Sequence, residues 1–193
     1  MSENYDVIVV GAGVIGLSTA LSLHRSGFKR VLVIDKGGPG REASWAGGGI
    51  LSPIHPYKYP LPLAALCTRS SELFPSFVEE LELLAGFKVE FRSTGLLRLG
   101  RDEGDLAEIQ AFHRRQKNIF ERLTYEQAKS IEPALSPDFP VTVYEAGIRQ
   151  VRNPRLLKGL LAACGVKGIE VRANDAVERL VTHDSAVVGV QSQ

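Results

Sequence analysis

Gly11-Ala12-Gly13-Val14-Ile15-Gly16 sets three glycines at G-x-G-x-x-G spacing, and Asp35 follows 19 residues after the last of them. The spacing has mechanical reasons. The first glycine turns the chain tightly off a strand, the second lets backbone N–H groups approach a pyrophosphate, and the third lets helix and strand pack closely. A helix opening at such a turn aims unpaired N–H groups and a partial positive charge at phosphates. Asp35, at the tip of the next strand, can accept hydrogen bonds from both hydroxyls of an adenosine ribose. The chemistry is dinucleotide binding, and the motif alone leaves FAD and NAD open. Lys36 hints at a ribose 2′-phosphate, but the carboxylate beside it repels one, which disfavours NADP.

A second segment bears on that choice. Residues 40–53 read Gly-Arg-Glu-Ala-Ser-Trp-Ala-Gly-Gly-Gly-Ile-Leu-Ser-Pro, and a NAD-binding unit needs no such stretch after its second strand. Three consecutive glycines, Gly47 to Gly49, let backbone amides lie against a flat ring where any side chain would clash. Amides aimed at a ring that gains electrons stabilise its reduced, anionic form. A flexible loop of turn-forming residues is the plainer alternative. Ten of the chain's 19 glycines fall between residues 11 and 49, and such crowding suits a backbone that turns sharply or approaches something closely.

The surrounding pattern supplies elements to hold both segments. Val7–Val10 reads as a strand buried on both faces, Leu17–Arg25 as a helix stopped by Gly27, and Val31–Asp35 as a second buried strand. Strand, glycine turn, helix and strand within about 30 residues have the size of a βαβ unit. Residues 36–62 are loop. Leu63–Ala85 reads as helix, with Pro75 expected to break or restart it. Val89–Phe91 and Leu96–Leu99 are strand candidates, Asp102–Lys117 an amphipathic helix, and Thr124-Tyr-Glu-Gln127 a capping box before a short helix. Val141–Tyr144 is strand. Asn153-Pro154 predicts a cap and first-turn proline for a helix ended by Gly165. Ile169–Arg172, Ala176–Val181 and Ala186–Val190 close the chain as strands. The pattern is α/β, with residues 1–55 and 151–193 as one layer and an α+β unit, 56–150, inserted between them.

Composition narrows the classes further. Twenty-three basic and 22 acidic residues leave a net charge of +1, so no global field recruits nucleic acid or an anionic membrane. No apolar run reaches the ~18 residues of a membrane helix, and the first residues lack signal-peptide character. Cys67 and Cys164 stand apart, and His24, His55, His113 and His183 build no motif. No metal site is expected, and the cytoplasm is the default compartment.

Gly11–Gly16, Asp35 and Arg41–Pro53 together resemble the D-amino-acid oxidase family of FAD-dependent oxidoreductases. The run Ser44–Pro53, followed by His55-Pro56-Tyr57 and Tyr59-Pro60, is most similar to the bacterial glycine oxidases of thiamine biosynthesis. Weaker similarity continues through Thr94-Gly95-Leu96-Leu97, Glu132-Pro133 and Asn153-Pro154-Arg155-Leu156. The resemblance implies a Rossmann-like FAD-binding domain formed by 1–55 and 151–193, with 56–150 as part of a substrate domain. It places Gly11, Gly13, Val14, Ile15 and Gly16 at the pyrophosphate and lines the adenosine ribose with Asp35 and Lys36. Ala43 and Ser44 would meet the phosphates and ribityl chain; Gly48, Gly49 and Ile50 would line the isoalloxazine. Val177 would offer its backbone to the adenine, although it reads equally as an ordinary core valine. Many relatives carry glutamate at Asp35 and methionine at Ile50.

The same resemblance implies oxidation of glycine or another small amino acid or amine to an imine, with O₂ giving H₂O₂, in thiamine thiazole biosynthesis. Substrate and O₂ are then the partners, and a homo-oligomer is possible in the full-length protein. Relatives run further, so the chain reads as truncated before its C-terminal half, with strands short of neighbours and an apolar face open. No side chain of residues 1–193 is assigned as catalytic acid or base. Trp45 reads as packing, His55 as a turn residue, Arg114, Arg115 and Lys117 as a solvated helix face, and Arg149 and Arg152 as unfixed candidates for an anion. The rival readings are a D-amino-acid dehydrogenase or sarcosine oxidase type, a non-catalytic or complementing flavin-binding subunit, and a nicotinamide dehydrogenase.

Overall fold

A computed structural model describes residues 3–51, 54, 58–116 and 121–192, the side chains of 112–116 apart. In chain order the elements begin β1 (Val7–Val10), α1 (Val14–Arg25), β2 (Val31–Ile34), α2 (Ala43–Ala46), α3 (Leu61–Ala85), β3 (Arg92–Ser93) and β4 (Leu96–Gly100). After a 3-10 turn at Gly104–Leu106 come α4 (Ala107–Gln116), β5 (Glu121–Leu123), α5 (Tyr125–Ile131), β6 (Val141–Glu145) and β7 (Arg149–Gln150). The last are α6 (Asn153–Val166), β8 (Glu170–Arg172), β9 (Val177–His183) and β10 (Ala186–Ser192). The fold is α/β with mixed sheets. It divides into two compact units, Met1–Gly49 with Ser76–Glu90 and Arg152–Gln193, and Ile50–Pro75 with Phe91–Val151.

In the first unit β1, β2 and β8 form a parallel sheet in the order β1-β2-β8, with Val9 opposite Val33 and Val33 opposite Val171. The central strand β2 is buried at all four positions, as a continuous Val/Leu/Ile run covered on both faces should be. β1 departs from that expectation. It holds an edge of the sheet among the described residues, Val7–Val9 are only half-buried, and Val10 is 58% exposed. Helix α1 buries Gly16, Leu17, Ala20 and Leu21 at helical spacing, and α6 buries Leu156, Leu157, Leu160, Ala163 and Cys164.

The domain pattern read from the sequence keeps 56–150 together, whereas here Ser76–Glu90 groups with the first unit. The cause is packing. Val78 and Leu81 of α3 are buried, and Gly159 of α6 sits so close that an added Cβ would come within 3.0 Å of Val89 and 3.4 Å of Leu81. Val89–Phe91 is not a strand. Glu82 accepts the Val89 N–H at 2.9 Å and the Lys88 ammonium at 2.7 Å, and Glu90 takes φ +61°, which interrupts extended backbone.

Helix α6 also differs at both ends. Arg152 is its N-cap, Pro154 keeps its place in the first turn, and the helix runs through Gly165. Its stop comes from Gly168, at φ +68°, after which Ile169 N–H bonds back to the Cys164 carbonyl at 2.9 Å. β9 and β10 make a hairpin whose turn residues Asp184 and Ser185 both have positive φ, the geometry that matches strand twist in a two-residue connection. Leu180, Val187 and Val188 on it are each 58% exposed or more.

The second unit holds an antiparallel sheet in the order β4-β6-β5 and a short β3–β7 ladder. Leu106, Ile109, Val141 and Val143 make one small core; Leu123, Ala128 and Leu135 make another. The capping box forms as its spacing predicts, Gln127 N–H donating to Thr124 Oγ1 and Thr124 N–H to Gln127 Oε1. Arg98 and Glu145, diagonal neighbours on β4 and β6, form a buried ion pair, and Arg98 also donates to the Ile54 carbonyl.

Pro75 does not break α3, which is continuous from Leu61 to Ala85. Proline lacks an N–H, so the carbonyl four residues back loses its helical donor. That carbonyl belongs to Ser71, and Arg149 donates to it from Nη1 at 3.0 Å. The arginine read as a candidate anion ligand repairs a helix. Among the described residues no helix is long and apolar enough to cross a membrane, and no group of three or more His, Cys, Asp or Glu is placed to hold a metal.

Candidate cofactor site

The glycine turn is built at the carboxyl ends of β1, β2 and β8, where open parallel sheets bind ligands. Gly11 leaves β1 at φ +105°, a conformation that disfavours any side chain, and donates its N–H to the Ile34 carbonyl at 2.8 Å. Gly16 faces the same turn from α1. A Cβ there would lie 1.8 Å from the Gly11 carbonyl oxygen, so helix and strand meet only because the side chain is absent.

Asp35 closes the turn from the tip of β2. Its Oδ2 accepts the Ala12 N–H at 2.6 Å and its Oδ1 the Gly37 N–H at 2.9 Å. Each carboxylate oxygen has a second lone pair, so capacity for ribose hydroxyls remains. The segment after β8 is stitched to the same place. Asp35 N–H donates to the Arg172 carbonyl at 2.9 Å, Asn174 N–H to Gly37 at 3.1 Å, and Asp175 N–H to Asp35 at 3.0 Å.

Ser44 arrives from α2. Its Oγ accepts the Val14 N–H at 3.1 Å and would lie 3.0 Å from a Cβ at Gly13. One of the orphan donors of α1 is thereby capped from a remote loop, since Gly13 offers no side-chain cap. The Ser44 hydroxyl proton stays available as a donor. The far end of α2 is held by Asn153, whose Nδ2 donates to the Gly47 carbonyl at 2.9 Å. Asn153, expected as the cap of α6, works instead as a strap.

The structure thus brings Gly11, Gly13, Val14, Gly16, Asp35 and Ser44 close together around one turn. Ile15 is 81% exposed, and Lys36, Ala43 and Gly48 are exposed as well. Among the described residues, its chain neighbours apart, no atom lies within 4 Å of a Cβ placed on Gly48, so they leave the space over it open. Gly49 takes φ +74°. Val177 opens β9 two positions after Asp175 and is half-buried. Ile50 belongs to the second unit, where it is bridged to Gln150. His55, Lys117, Ser52, Pro53, Pro56 and Tyr57 lie outside the described residues, as do the side chains of Arg114 and Arg115.

Sequence reasoning passed over Asp175. Its Oδ1 is buried with no hydrogen-bond partner among the described residues, and a buried acceptor left unmet is costly. It adjoins Asp35 through the backbone bond given above. An orphaned acceptor, a helix N-terminus capped by a hydroxyl with a proton to give, and open space over Gly48 together fit an adenine dinucleotide. No spacing rule could have found Asp175, because it depends on where the turn after β8 folds back.

The chain matches, over residues 6–193, the family described as DAO, FAD dependent oxidoreductase. The chain belongs to the DAO family. Glycine oxidase from Pseudomonas putida is 38% identical to it over 187 residues, covering 96% of this chain and 50% of that protein. Glycine oxidase from Pseudomonas aeruginosa is 37% identical over 191 residues, covering 98% and 51%. The crystal structure of glycine oxidase from Bacillus cereus aligns with a TM-score of 0.88 at 26% identity, covering 98% of this chain and 51% of that one. The chain spans about half the length of the curated relatives it matches. FAD is the cofactor of the DAO family.

Proposed function

We propose that this DAO-family chain forms the FAD-binding part of an amino-acid oxidase of the glycine oxidase type, acting in the cytoplasm and in thiamine thiazole synthesis. Bound FAD would supply the redox chemistry, accepting a hydride from the α-carbon of glycine or a similar small amine and passing electrons to O₂ to give H₂O₂. The residues of this chain bind and orient. Gly11, Gly13, Val14, Ile15 and Gly16 shape the bed for the pyrophosphate, and the Ser44 hydroxyl donates to it. Asp35, with Lys36 beside it, receives the adenosine ribose. Ala43, Gly48, Gly49 and Ile50 are assigned to the ribityl chain and ring, and Val177 to the adenine.

The observation that carries the reading is the Val14–Ser44 bond, which joins the glycine turn to the loop that precedes the triple glycine. A NAD-binding turn has no use for that loop. FAD titration of the 193-residue chain, followed by quenching of flavin fluorescence, tests the cofactor. The longest reading frame containing this sequence, supplied with glycine or sarcosine, tests the reaction through peroxide release. A protein indifferent to FAD in both experiments overturns the proposal, and oxidation without peroxide would point to a dehydrogenase instead.

A further inference from the structure

We infer that a cleft between Pro39–Arg41, α2 and the first turns of α6 is a second ligand site, one that takes a small organic anion with a compact apolar body. The cleft is half open to solvent and offers about 390 Å³, inside the size range of small-molecule sites. Arg41, Arg152, Arg155 and Lys158 line it. Glu90 partners Arg152 at 3.4 Å and Arg155 at 3.3 Å. Among the described residues neither Arg41 nor Lys158 has a carboxylate partner, and the Arg41 guanidinium lies over the Trp45 ring at 4.9 Å.

The other lining is apolar. Leu157 is 3% exposed, and Leu161, Pro39 and Pro154 complete that wall. A surplus of cationic donors over an apolar floor selects a ligand with both characters. Guanidinium groups favour a carboxylate or phosphate head, which they can engage through two hydrogen bonds. An inorganic anion would use the rim alone, and a neutral hydrocarbon the floor alone.

The walls are fixed without any ligand, which lowers the ordering cost of binding. Gly40 lies flat on α6, where a Cβ would come within 3.0 Å of Leu157 Cδ2. Asn153 straps α2 to α6 through Gly47. Arg155 is anchored by its Nε, which donates to the Lys88 carbonyl at 2.8 Å, and by its stacking on Phe87. Ser44 of the same short helix is bonded to the glycine turn, so α2 contributes one residue to each site.

Trp45 is the chain's one tryptophan, and its emission therefore reports on the cleft. Titration with phenyl phosphate is expected to give a saturable change, with affinity about tenfold or more above that of inorganic phosphate or benzyl alcohol. Lys158→Glu should weaken phenyl phosphate by about tenfold, Arg41→Gln should weaken it in the same direction, and Arg122→Glu in the second unit should leave it unchanged. Circular dichroism confirms that each variant is folded, and calorimetry gives affinities independent of emission. Asp35→Ala should retain the binding; its loss there would place the probe in the nucleotide crevice and overturn the inference. Equal affinity for inorganic phosphate, or binding that survives both Lys158→Glu and Arg41→Gln, would overturn it too.

Discussion

Asp35 holds the backbone N–H of Ala12, in the middle of the glycine turn, at 2.6 Å through Oδ2. The residue expected to greet the ribose therefore also holds the glycine turn in shape. Asp35→Ala leaves two turn N–H groups without an acceptor, Ala12 and Gly37, and is expected to cost about 1–3 kcal/mol of stability. FAD affinity should fall by about tenfold or more. Asp35→Asn keeps one acceptor oxygen and should lie between. Thermal melts and flavin titration check both, and an alanine variant with unchanged midpoint and affinity would remove Asp35 from the site.

Two glycines of the candidate site should respond in opposite ways. Gly16→Ala drives a methyl into the Gly11 carbonyl and is expected to destabilise the fold by about 3 kcal/mol or more, the upper end for overpacking. Gly48→Ala meets no atom of the other described residues within 4 Å, its chain neighbours apart, so its melting temperature should match the parent while FAD binding weakens. If Gly48→Ala binds FAD as well as the parent does, the flat-ring role of that loop is wrong.

Acid should act through Glu82. Burial opposes its charge, but the Lys88 ammonium and the Val89 N–H outweigh burial and hold the carboxyl below its ordinary range. With the folded value depressed, the unfolded chain takes up the proton first as pH falls. The stabilising contribution is full above about pH 4.3 and lost as pH drops through the folded value. Glu82→Gln is thus expected to be less stable than the parent near neutral pH and to approach it in acid. Urea unfolding at both ends of that range measures the convergence, and a constant gap would contradict it.

The two cysteines should separate cleanly in a thiol assay. Cys164 is fully buried in α6, and burial pushes its thiol up to about 11. Cys67 on α3 is only half-buried. One equivalent of a thiol reagent should react in the folded chain, at Cys67, and the second only on unfolding. Peptide mapping of the labelled site decides it.

Much of the local structure in both units was legible in the residues because its signals are local. The Val31–Ile34 run, the glycine spacing and the Thr124–Gln127 box each act over a few positions. What escaped were contacts made by distant partners. Asn153 looks like a cap in sequence but straps Gly47. Pro75 looks like a break, yet the chain continues because an arginine far downstream meets the freed carbonyl. Ser76–Glu90 reads in sequence as the end of the Leu63–Ala85 helix and the start of a strand, and burial against Gly159 groups it with the first unit. The pairing of Ser44 with Val14 was legible as proximity to phosphate, not as the hydrogen bond that caps α1.

Ser71 and Arg149 stand 78 residues apart in the chain, yet their contact couples the effects of mutation at Pro75 and Arg149. With Arg149 in place, exchanging Pro75 for a residue with an N–H is harmless, because the carbonyl can take either donor. With Pro75 in place, losing Arg149 strands a helical oxygen. Loss of the arginine is therefore expected to destabilise α3 chiefly in a chain that carries the proline.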